Sequence, residues 1–96
     1  MALASFTPTG QASITANGVS ANVAIPETGT PTQIIVTNLG GAPAFVLLGA
    51  PGVQVTIANG TPVLPNCPIA LTLGTNTELA AITSGASVPL RITAAT

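Results

Sequence analysis

The chain has 96 residues, the size of one domain (1–96), and its only charged side chains are Glu27, Glu78 and Arg91. Charged residues are 3% of the total, against roughly a quarter in ordinary soluble domains, while the hydrophobic share of 47% is ordinary. Thr, Ser, Asn, Gln and Ala therefore replace charge at the surface; the low net charge favours association, and together with abundant Val, Ile and Thr it argues against a disordered chain.

The apolar residues recur with a period of two, which is the strand period. Segments 3–7 and 12–16 read as the first strands. Asn17–Gly18 follows, a pair suited to a type I′ hairpin turn. In 19–25, Val19, Ala21, Val23 and Ile25 alternate with Ser20, Asn22 and Ala24. Residues 25–32 (IPETGTPT) form a loop that holds Glu27. Segments 33–39 and 44–48 contain continuous apolar runs, Ile34 to Val36 and Phe45 to Leu48, as expected of strands covered on both faces, the second cover being another layer or another subunit. Val53, Val55 and Ile57 alternate in 53–58, and Asn59–Gly60 supplies another hairpin signal before 61–64. The proline-rich run TPVLPNCP suits an edge strand or rim, because proline cannot donate to a neighbouring strand. Segment 69–73, the turn LGTN, segment 78–82, the turn TSGAS and segment 88–93 complete the chain. Short strands at this spacing predict an all-β fold, an antiparallel β-sandwich or a jelly-roll-like barrel.

The stretch from Gln33 to Gly52 carries no charge, but Gly40, Gly41, Pro43, Gly49 and Pro51 break any membrane-spanning helix. The opening MALASFTPTGQ has neither the basic nor the apolar region of a signal peptide, so synthesis in a cytoplasm is expected. Cys67 has no second cysteine to pair with inside the chain.

Little chemistry is on offer. His, Lys, Tyr and Trp are absent. Glu27 and Glu78 lie far apart in sequence with nothing to pair them as acid and base. Cys67 has no histidine to generate its thiolate, and reads as a small packed hydrophobe. No cluster of His, Cys and carboxylates suggests a metal, and no glycine-rich loop with a lysine suggests a phosphate or nucleotide cofactor. One arginine and two phenylalanines, Phe6 and Phe45, give nucleic acid neither counter-charge nor a stacking platform. Arg91, on the polar face of the last strand, is expected to be solvated or paired with Glu27 or Glu78. No catalytic, cofactor-binding or metal residue is assigned. What remains is a structural or interaction protein rather than an enzyme.

Three phrases, FTPTGQASITANGVSANVAIPETG, QIIVTNLGGAPAFVLLG and LAAITSGASVPLRIT, resemble the small β-proteins that tailed bacteriophages encode near their major capsid protein. The resemblance spans nearly the whole chain and transfers no catalytic residue. It implies a β-sandwich, jelly-roll-like or β-tulip fold. It also implies a capsid decoration or cement protein, a homotrimer on the outer face of the shell, whose partners are itself and the major capsid protein. Two other readings stand beside it: a module of a phage tail, fibre or baseplate, and a module that binds a host surface. The lack of Tyr and Trp weighs against the last.

Overall fold

Segments that alternate with a period of two bury their apolar faces by pairing into sheets. The computed structural model describes residues 8–27 and 29–96 and contains two such sheets. The strands are β1 (Pro8–Ala16), β2 (Ala21–Ala24), β3 (Gln33–Asn38), β4 (Ala44–Gly49), β5 (Thr61–Val63), β6 (Ile69–Thr72), β7 (Glu78–Ile82) and β8 (Val88–Ala95). One sheet has the order β1-β8-β3-β6 and the other β2-β7-β4-β5. All pairings are antiparallel. The first strand pairs with the last, the second with the seventh, the third with the sixth and the fourth with the fifth. That wrapping is the jelly roll, one of the folds the sequence left open.

The facing surfaces of the two sheets form the core. Ile34 and Val36 of β3, Val46 of β4, Leu79 and Ala81 of β7, and Leu90 and Ile92 of β8 are buried there. Full burial of each large aliphatic side chain contributes roughly 1.5–3 kcal/mol. Strand β8 alternates from Val88 to Ile92: Val88, Leu90 and Ile92 are buried, whereas Pro89 and Arg91 are exposed. Pro89 sits in a central strand without breaking it. Its carbonyl accepts from the Leu39 amide at 2.9 Å, so its missing donor faces the place where β3 has already ended. Pro62 lies in β5, an edge strand, as the proline-rich run TPVLPNCP led one to expect.

Three expectations need correction or placement. The expected strand at 3–7 lies outside the described residues. The expected strand at 53–58 does not form. Those residues belong to a strap, 50–60, that crosses the outer face of the second sheet. A methyl group built on the outward-facing Gly49 would meet Val53 at 2.6 Å, so Val53 rests on that glycine. One built on Gly60 would meet Phe45 Cβ at 2.7 Å and Val55 Cγ2 at 2.9 Å. The Val55 amide donates to Ser20 Oγ at 3.0 Å, beside the first residue of β2. These anchors bracket Ala80, which faces outward from the core and is nevertheless wholly buried, and Val55 is 2% exposed. The second cover over β4 is therefore this chain's own strap.

The two Asn-Gly pairs are not hairpin turns either. Type I′ needs positive φ at both central residues, and the positive-φ residues do not include Asn17, Gly18, Asn59 or Gly60. Asn17–Gly18 joins strands of different sheets, where the hairpin twist is not required. Asn59–Gly60 closes a helical-type turn, with the Gly60 amide on Thr56 O at 2.9 Å.

Candidate functional site

Antiparallel wrapping sends alternate connections to opposite ends of the sandwich. Loops 17–20, 39–43, 64–68 and 83–87 share one end, and hydrogen bonds join them in two pairs. The Thr83 amide donates to Asn17 O at 2.8 Å. Asn38, at the end of β3, is 2% exposed and donates through Nδ2 to Ala42 O at 2.8 Å and Val63 O at 2.9 Å. Its Oδ1 accepts from the Gly40 amide at 2.8 Å. One buried amide thus fixes the 39–43 loop against the start of 64–68.

These four loops contain no charged residue. Of the four large apolar side chains exposed among the described residues, three belong to them: Val19 (72%), Leu39 (57%) and Leu64 (50%). The fourth, Ile57 (45%), is on the strap close to where Val55 reaches Ser20. Pro43 is exposed there too, and Pro65 and Pro68 are half-buried. The result is a neutral, apolar, proline-stiffened tip. Such a surface can shed water against a partner.

Sequence reasoning missed this tip. Val19, Leu39 and Leu64 were each the terminal residue of an expected strand, at 19–25, 33–39 and 61–64. Each falls just beyond the strand that forms. The signal was present in their neighbours: Leu39 lies between Asn38 and Gly40, Leu64 precedes Pro65, and Val19 follows Asn17–Gly18. An apolar residue held between turn formers is presented outward.

The chemically capable residues are dispersed. Glu27 is exposed in the 25–32 loop at the opposite end. It borders a cleft of about 270 Å³ shared with Ile25, Thr30, Pro31 and the 73–77 turn. Glu78 opens β7 at that same end, half-buried, opposite Ala24 and Gly49. Arg91 projects from the outer face of the other sheet. It donates through Nε to Ser13 Oγ at 3.1 Å and through Nη1 to Gln11 Oε1 at 2.9 Å. Arg91 is exposed, as the solvated reading expected, and within the chain it pairs with neither Glu27 nor Glu78 among the described residues, because the thickness of the sandwich separates it from Glu78 and Glu27 lies in the loop at the far end. Cys67 is a free, half-buried thiol in the 64–68 loop. Among the described residues, no three His, Cys, Asp or Glu side chains gather as a metal site, and no helix is long and apolar enough to cross a membrane.

No family model and no curated protein matches this sequence. A solved structure from Bacillus endospore appendages, described as a novel family of disulfide-linked pili, aligns with 99% of this chain and 94% of its own, at 13% identity and a TM-score of 0.44. A likeness of that order carries no argument about what this chain does.

Proposed function

We infer that this chain is a structural protein acting by contact, as a decoration or cement protein on the outer face of a tailed-bacteriophage capsid. In this reading it is made in the host cytoplasm and ends on the virion exterior. It associates with itself as a homotrimer and binds the major capsid protein. It performs no reaction, holds no cofactor or metal, and takes no nucleic acid, membrane or small-molecule substrate. One observation carries the reading: the charge-free tip that exposes Val19, Leu39 and Leu64. Large apolar side chains exposed at one end of a domain, with no charge among the loops that carry them, suit a protein contact. The jelly roll is neutral here, since it serves capsids, lectins and enzymes alike.

The test is co-sedimentation of the purified protein with capsids assembled without it, followed by cryo-electron microscopy of the pellet. Density over the shell at a copy number near that of the capsid protein is the expected result. Leu39→Asp with Leu64→Asp should leave the protein in the supernatant. Failure of the unaltered protein to bind shells would end the reading, and a few copies confined to the tail would transfer it to the tail.

A further inference from the structure

We propose that Asn17 is a self-modifying site, where the Gly18 amide closes on the Asn17 carboxamide and converts it to aspartate or isoaspartate. The chain has two Asn-Gly pairs, and the fold treats them oppositely. In the 17–20 loop both Asn17 and Gly18 are exposed. Among the described residues the Gly18 amide donates to no acceptor, so its nitrogen is free to attack. Glycine has no side chain to shield it. Asn17 Oδ1 accepts from the Val19 amide at 3.0 Å, which curls the carboxamide over the Gly18 peptide. That donor also points at the oxygen on which negative charge develops as the nitrogen adds to Cγ, the arrangement that stabilises a tetrahedral intermediate.

The balance is simple. Gly18 N gives up its proton and bonds to Asn17 Cγ. The bond from Cγ to the side-chain nitrogen breaks, and ammonia leaves with that proton. Water then opens the cyclic imide at either carbonyl, giving aspartate or isoaspartate. No oxidant or cofactor takes part.

Asn59 is exposed like Asn17, but the glycine that follows it is half-buried and its amide is not free. The Gly60 amide is engaged with Thr56 O at 2.9 Å. Asn59 Oδ1 accepts from the Thr56 amide at 2.7 Å, which draws the carboxamide back toward the preceding residues and away from the Gly60 peptide. Gly60 is also packed against Phe45 and Val55. Both hydrogen bonds must break before attack.

The experiment is peptide mapping by mass spectrometry after incubating the folded protein in mildly alkaline, oxygen-18-labelled water. Folded protein should take up label at 17 about tenfold or more faster than at 59, the ratio that about 1.4 kcal/mol of lost hydrogen bonding produces. In denaturant the two pairs should react at similar rates. Gly18→Ala should slow position 17 with the fold intact, because the added methyl meets Gly85 Cα at an ordinary 3.6 Å. Equal rates in the folded protein, or faster reaction at 59, would overturn the proposal. So would a ratio in denaturant matching the folded one, since the fold would then not be the cause.

Discussion

Two neighbouring residues in β8 test how the fold assigns its faces. Leu90 is 1% exposed in the core, and Arg91 is exposed on the outer face. Leu90→Ala should cost about 2–5 kcal/mol, the range for emptying a well-packed leucine site. Arg91→Ala loses only exposed bonds to Ser13 and Gln11 and should change stability by less than about 1 kcal/mol. Leu71, half-buried on the edge strand β6, should fall between them. Urea unfolding of the three variants reads the order directly; equal losses at 90 and 91 would mean that the register is wrong. Asn38 makes a different demand. Asn38→Ala leaves Ala42 O, Val63 O and the Gly40 amide without their partner in a buried place. A loss of roughly 2–3 kcal/mol is expected, equivalent to a melting temperature lower by about 10 degrees or more for a domain this size. Asn38→Asp keeps the Oδ1 acceptor but loses both Nδ2 donors, so it should not restore the alanine variant's loss.

At the scale of elements, the strap is the instructive case. Val53, Val55 and Ile57 alternate as a strand would, yet only Val55 is buried and no ladder forms. Alternation reports that one side of a segment meets an apolar surface. It does not say whether the segment lies beside a sheet or across it. The eight other expected strands from 12 to 93 formed, because each had both an apolar face and a neighbouring strand to pair with. Their order was not legible, since pairing β1 with β8 depends on which segments meet in space. The tip was illegible for a related reason: alternation extended each strand by a residue or two and so drew Val19, Leu39 and Leu64 into an imagined core. The strap itself makes a prediction. Ser20→Ala removes the acceptor of the Val55 amide but touches no core residue. Hydrogen exchange at Val55 should accelerate while global stability falls by no more than about 0.5–1.5 kcal/mol. Unchanged protection at Val55 would show that the strap is held without Ser20.

For the whole molecule, the distribution of charge matters more than its total. Both carboxylates lie at one end, the guanidinium lies on the outer face of one sheet, and the tip at the other end has none. Association through that tip should barely respond to salt, because no ion pair is there to be screened. Light scattering should give the same mass at low and at high ionic strength. Leu39→Asp with Leu64→Asp should return the protein to a monomer, and since both side chains are solvent-exposed, its melting temperature at low concentration should change little. A marked fall in mass on adding salt would locate the contact at Glu27, Glu78 or Arg91 instead.

The pairing of first strand with last also governs when this protein can be finished. While the chain is being made, β1 emerges early and has no neighbour in its sheet until β8 exists, because β8 lies between β1 and β3. The innermost pair, β4 with β5, can close first, and the later strands then add outward, each bridging a longer span of chain. Contacts of such long range fold slowly, in roughly milliseconds to seconds. Until that last step β1 shows unpaired backbone on both its edges, and in that interval a growing chain is most open to pairing with the wrong neighbour.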